Sequence, residues 1–216
     1  MKRKYILFDL DGTLTDSSEG ITKSVIYALN SYGIFVDDPK SLYSFIGPPL
    51  LDSFQRYYGF DEERAREAVE KYREYYEVTG IFENRVYEGI PELLGQLCGE
   101  EKTLLVATSK PKQMAERVLK HFELDHLFAD IEGPDRKGLK EKKEDVIRHL
   151  LDKHGIQDPN QAVMVGDRKY DVEGAAKFGI PCIGVLYGFG SRRELSQAAW
   201  IAKDVRELGR LLLERS

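Results

Sequence analysis

Lys4–Ser17 reads KYILFDLDGTLTDS, and the fold is read outward from it. Tyr5, Ile6, Leu7 and Phe8 are four consecutive apolar or aromatic residues, the pattern of a strand covered on both faces. The run breaks on Asp9, Leu10, Asp11, Gly12 and Thr13. Two carboxylates one residue apart at the end of a buried strand repel each other and resist desolvation. Their position therefore needs a chemical reason.

Four further runs have the same texture: Thr103–Ser109 (TLLVATS), Leu127–Ile131 (LFADI), Ala162–Asp167 (AVMVGD) and Pro181–Gly188 (PCIGVLYG). They are short, bounded by turn signals and mostly without alternation, as expected of buried parallel strands. Helical patterns separate the later ones. PKQMAERVLKHFEL follows the second run, with Pro111 near a helix start; KEDVIRHLLDKHGI precedes the fourth and ends at Gly155; YDVEGAAKFGI follows it and ends at Gly179. Strands alternating with helices predict βαβ units, hence an α/β fold with a doubly wound parallel sheet and a Rossmann-like core.

Between Asp16 and about Arg85 no buried-strand run is found. Ile21, Val25, Ile26 and Leu29 fall at helical spacing, and Ala65, Ala68, Val69, Tyr72 and Tyr76 share one face of a second helix. Glu62–Arg66 and Glu67–Lys71 are spaced as ion pairs on its solvated side. This is the pattern of a small helical cap inserted after the first strand: residues 16–85 as cap, 1–15 and 86–216 as core. TDSSEG and ENRVYEG are the expected hinges. Thirteen aromatics lie in the insertion, more than half of the chain's 12 Tyr, 10 Phe and 1 Trp. Taken singly, each ring is expected to build the cap's own core.

The 216 residues suffice for one large domain or a core with an insertion. A net charge of −5 and a pI of about 5.5 argue against a generic nucleic-acid or anionic-membrane binder. No apolar run approaches the ~20 residues of a membrane helix, and the basic start lacks a signal peptide's long apolar stretch. Cys98 and Cys182 lie in apolar stretches, as reduced core residues do. A cytoplasmic protein is expected.

In an open parallel α/β sheet ligands bind beyond the carboxyl ends of the strands, where Asp9 and Asp11 fall. Gly12 permits a backbone closed to other residues, so Gly12 and Thr13 are candidates to present amides and a hydroxyl to an anion. Acids beside an anion cradle are compatible if a cation joins them, and Mg²⁺ takes one or two carboxylates plus phosphate oxygens. Asp167 ends another strand and can meet Asp9, with Asp171 one helical turn on. Thr108 and Ser109 end the second run with hydroxyls suited to phosphate oxygens. DRKGLKEKKED supplies lysines before a helix, to neutralise a phosphate dianion.

This set resembles the haloacid-dehalogenase-like superfamily, and specifically its phosphatases, over nearly the whole chain. DLDGT resembles the first motif, which implies Asp9 as nucleophile and Asp11 as general acid/base. VATSK resembles the second, with Thr108 in the phosphate place, and GDRKYD resembles the acidic fourth. The third requires a lysine; spacing to Asp145-Val146-Ile147 and Gly155 favours Lys143, with Lys140 and Lys142 competing. The resemblance implies a Mg²⁺ site of Asp9, the Asp11 backbone carbonyl and Asp167, supported by Asp171. The insertion point matches the family's small helical caps. FIGPPL (Phe45–Leu50), ATSKP and VLYGFGSRREL resemble the phosphoglycolate-phosphatase-like or 5′-nucleotidase-like branch. Phe45, Ile46 and Gly47 are then candidates to contact the leaving group.

The implied reaction is Mg²⁺-dependent hydrolysis of a small phosphomonoester, a 5′-nucleotide or phosphoglycolate, through an aspartyl-phosphate. A phosphomutase and a receiver-like phospho-acceptor are the alternatives; the second aspartate and the cap speak against the latter. A calcium loop counted from Asp9 fails, with Leu14 at its sixth place and Gly20 at its twelfth. GFGS (Gly188–Ser191) lacks a dinucleotide fingerprint and reads as a loop. His121, His126, His149 and His154 have no ligand spacing, and Trp200 lies in a late apolar patch, expected to be core.

Overall fold

The computed structural model describes residues 3–135 and 142–214. Its main sheet is built from β1 (Tyr5–Phe8), β4 (Thr103–Ala107), β5 (Asp130–Glu132), β6 (Ala162–Gly166), β7 (Cys182–Val185) and β8 (Trp200–Ala202), in the order β5-β4-β1-β6-β7-β8. Every pairing is parallel. Successive residues of each central strand enter different cores. Ile6, Phe8, Leu104, Val106, Val163 and Val165 pack on one face, while Leu7, Leu105, Ala107, Ala162 and Met164 pack on the other. Burial on both sides is why these strands read as unbroken apolar runs. Each fully buried large side chain contributes about 1.5–3 kcal/mol.

The helices α4 (Ile90–Gly99), α5 (Lys112–His121), α6 (Lys143–Lys153), α7 (Lys169–Ala176) and α8 (Val205–Glu214) flank the sheet. α5, α6 and α7 stand where periodicity put them. The expected strand at Leu127–Ile131 is displaced, because Asp125–Leu127 close a 3-10 turn and pairing begins only at Asp130. Trp200 is half-buried in the edge strand β8, packed against the rim of the core and under the Arg3 guanidinium. Cys98 and Cys182 are unbridged. Among the described residues no helix is long and apolar enough to cross a membrane.

After β1 the chain forms β2 (Thr15–Asp16), which pairs antiparallel with β3 (Arg85–Val86). Between them it is helical: α1 (Ser18–Asn30), a 3-10 helix at Pro39–Phe45, α2 (Leu50–Tyr58), α3 (Glu62–Tyr76) and a 3-10 turn at Gly80–Phe82. On α3 the five residues expected to share a face are all buried. On α1, Ile21, Val25 and Leu29 are buried and Ile26 is half-exposed. Asp61 caps α3 by accepting from the Arg64 amide. Arg66 pairs with Glu62 on the exposed side, and Lys71 pairs with Glu74. Most rings here pack on one another: Phe45 meets Phe54, Tyr57 and Tyr58, and Phe54 stacks on Phe60.

Candidate active site

β1 lies between β4 and β6, so the carboxyl ends of these three strands deliver Asp9, Thr108 and Asp167 side by side. The Asp9 amide continues the sheet onto Val165 O at 2.9 Å, which fixes its side chain beyond the strand end. Leu10 N donates to Asp9 Oδ1 at 2.7 Å. The chain then turns: Gly12 N donates to Thr15 O, and Thr13 N to Leu10 O. These amides are taken by the turn, contrary to the expectation that they face an anion. The Thr13 hydroxyl, by contrast, is buried without a partner among the described residues. Gly12 has φ +85, and a Cβ there would lie 2.3 Å from Asp167 Oδ2. Its role is thus to let the first turn approach the second acidic loop.

Lys143, the first residue of α6, reaches into the acidic centre. Its Nζ lies 2.9 Å from Asp9 Oδ1 and 2.8 Å from Asp171 Oδ1, and donates to Ala107 O at 2.8 Å. Lys142 is exposed, and Lys140 lies outside the described residues. Asp9, Asp167 and Asp171 bring carboxylate oxygens within 4.8 Å of one another. Asp171 is engaged on both oxygens, by Lys143 and by the Arg168 amide at 3.0 Å. Asp167 Oδ2 accepts from Phe189 N at 2.7 Å, while its Oδ1 is buried with no partner among the described residues.

Burial pushes the Asp9 carboxyl up to about 6; Lys143 restrains the rise, and Asp171 and Asp11 add to it. Asp167 is driven well above the usual carboxylate range by burial and then by Asp171 and Asp9. Burial works against the Lys143 ammonium, but attraction to Asp171 and Asp9 outweighs it and raises its pKa. The cluster thus carries more negative charge than one ammonium satisfies. An orphaned carboxylate oxygen beside two more acids, all hard oxygen donors, fits a hard divalent cation such as Mg²⁺.

Asp9 and Asp11 also line a cavity of about 360 Å³ between the strand ends and the helical segment, at the small end of ligand pockets. Thr108 and Ser109 line it from the core; Phe45, Gly47, Tyr72 and Tyr76 line it from the helices. The Ile46 side chain is fully buried and is not among the lining residues, so the expected contact there falls to its neighbours.

Lys110 was not expected in the site. Its ammonium is buried, 2.6 Å from Asp11 Oδ2 and 4.9 Å from the Tyr76 ring centroid. Asp11 Oδ1 is buried without a partner among the described residues. Also unforeseen were Arg168 and the Gly188–Gly190 loop, which packs on Asp167 through the Phe189 amide. A lysine directly after the Thr108-Ser109 pair was the one local signal available.

The sequence model of the family described as haloacid dehalogenase-like hydrolase matches residues 6–185. The chain belongs to that family. A 5′-nucleotidase of Pseudomonas aeruginosa is 54% identical over 190 residues, 88% of this chain and 86% of that protein. A tyrosine-protein kinase, PtkA, of Mycobacterium tuberculosis is 40% identical over 187 residues, 87% of this chain but 63% of the longer relative. A phosphoglycolate phosphatase of Aliivibrio fischeri is 30% identical over 203 residues, 90% of this chain and 89% of the other. The crystal structure of a predicted phosphatase from Clostridium acetobutylicum superposes with a TM-score of 0.96 at 50% identity, covering 99% of this chain and 100% of that one. Within the family this chain is a phosphatase.

Proposed function

We propose that the protein is a Mg²⁺-dependent phosphomonoester hydrolase that works through an aspartyl-phosphate on Asp9. The observation that carries this reading is the grouping of the Asp9, Asp167 and Asp171 carboxylates, with Lys143 paired to Asp9 and Asp171 and Asp9 lining the cavity. Asp9 attacks phosphorus as the bond to the leaving oxygen breaks, and Asp11 gives that oxygen its proton. Water then attacks the phosphorus, Asp11 takes the water's proton, and Asp9 is released. Asp11 can serve both steps because Lys110 holds one of its oxygens and the other has no partner among the described residues. Lys143 offsets repulsion between Asp9 and the phosphate, and the Thr108 and Ser109 hydroxyls meet its oxygens.

Asp9 and Asp167 would hold the metal with the Asp11 carbonyl, Asp171 orienting the set from behind. Mg²⁺ bound there supplies charge neutralisation between carboxylate and phosphate. Phosphate release is expected to stop in a chelator and to return with Mg²⁺. Ca²⁺ is expected to inhibit, because its larger and looser coordination spoils in-line geometry. Full activity in chelator, unchanged by added Mg²⁺, would refute the site.

The helical segment 16–85 is read as the cap over a cytoplasmic enzyme's site. A 5′-nucleotide or similarly bulky monoester is the favoured substrate, with phosphoglycolate as the alternative. Support comes from the rings of Phe45, Tyr72 and Tyr76 on the cavity wall and from the likeness to the Pseudomonas protein. Phosphate release is to be compared across nucleotides, phosphoglycolate and sugar phosphates. Phe45→Ala is expected to reorder the larger substrates more than it slows acetyl phosphate. Phosphoglycolate far ahead of every nucleotide would overturn the substrate and leave the phosphatase chemistry intact.

A further inference from the structure

The Phe45–Leu50 wall of the cavity is tied to the core by two residues that the chemistry above does not use. Arg168 follows Asp167 and is buried despite its charge. One arm of its guanidinium donates to the Ile46 carbonyl, and the other side meets Glu194 Oε1 at 3.3 Å. Gly47 has φ +104, and a Cβ there would lie 2.9 Å from Arg168 Cγ, so the loop folds directly onto the arginine stem. Beside it the Tyr43 and Phe189 rings meet edge to face, with centroids 5.4 Å apart.

Both ties are rooted in the acidic cluster. The Arg168 amide donates to Asp171 Oδ2, and the Phe189 amide to Asp167 Oδ2. The two residues whose main chains orient these carboxylates therefore hold the cap loop with their side chains. We propose that Arg168 is a positioning residue. With Phe189 it locks the Tyr43–Gly47 loop onto the turn bearing Asp167 and Asp171, so that the leaving-group wall and the acidic cluster keep one shape together. The planar fork sends its donors in fixed, divergent directions, to the Ile46 carbonyl on one side and the Glu194 carboxylate on the other; a lysine gathers its donors on one nitrogen and spans two such separated partners less well. The inference rests on the chain being a phosphatase, not on the metal or the natural substrate.

Hydrogen exchange over residues 42–51 tests the lock without turnover, and steady-state kinetics on para-nitrophenyl phosphate and acetyl phosphate test its consequence. Arg168→Ala is expected to speed exchange in this loop about tenfold, the low end for a charge-assisted hydrogen bond, and Phe189→Leu, which keeps its amide but loses the ring pair with Tyr43, about two- to tenfold. KM for the aryl ester is expected to rise about tenfold, and KM for acetyl phosphate less than about twofold. Arg168→Lys should fall between wild type and Arg168→Ala. Wild-type exchange and KM ratios in folded variants would overturn the proposal. So would a uniform rise in exchange along the whole chain, which marks a merely structural role. If Arg168→Ala does not fold, Phe189→Leu carries both readouts. Absence of turnover in the wild type would count against the function proposed above and leave the exchange result to decide the lock.

Discussion

Asp9→Asn is expected to remove turnover, by roughly 10⁴-fold or more, as loss of a covalent nucleophile does, while the fold stays intact. The amide keeps the shape of the side chain but cannot form the acyl phosphate. The fold should tolerate the change because Asp9 is held among like charges: Asp171 and Asp11 both oppose its ionisation. Lys143 keeps Asp171 and the Ala107 carbonyl as partners. The melting temperature should move by less than about 5 °C. Asp11→Asn should slow both chemical steps, and most severely the one that depends on proton transfer. Purified Asp9→Asn with turnover above contaminating background would sink the assignment.

Lys143→Ala is expected to lose both stability and activity. Its ammonium is buried against Asp9 and Asp171, and removing one partner of such a set costs about 3–5 kcal/mol. Activity should fall by roughly 10²–10³-fold, as for other removed donors at a reacting centre. Lys142→Ala, on an exposed residue, should stay within about 0.5 kcal/mol of wild type and near full activity; the reverse ranking would show the phosphate lysine to be misassigned. The cost should also depend on pH. The folded Asp9 carboxyl, raised from 3.8 to about 6, contributes stability at low pH that is lost as pH rises through that window. Since Lys143 restrains the rise, its loss moves the window upward. Denaturant unfolding in chelator should then show a smaller penalty at about pH 5 than at about pH 7.5.

What the sequence made legible follows from how local each signal is. β1 and β6 stood out because both their faces are buried, and the acids stood out because strand ends interrupt those runs. α3 was readable from the spacing of Ala65 to Tyr76. β8 was not, since two half-buried residues and one buried alanine after a polar loop make no run. The site's unforeseen members are long-range pairs. Lys110 meets Asp11 across 99 residues, and Arg168 meets the Ile46 carbonyl across 122. No local spacing announces such a contact. Ile46 shows the converse: adjacency in sequence to Phe45 and Gly47 did not bring it into the cavity, because its side chain turns into the apolar core.

Turnover through Asp9 passes through a covalent phosphoryl group on its carboxylate. Rapid quenching during turnover of para-nitrophenyl phosphate into borohydride reduces an acyl phosphate to the alcohol, and peptide mass spectrometry locates the change. Homoserine is expected at position 9, absent from Asp9→Asn and from enzyme quenched without substrate. Turnover with position 9 unaltered at every quench time, or the alcohol at another carboxylate, would contradict that intermediate.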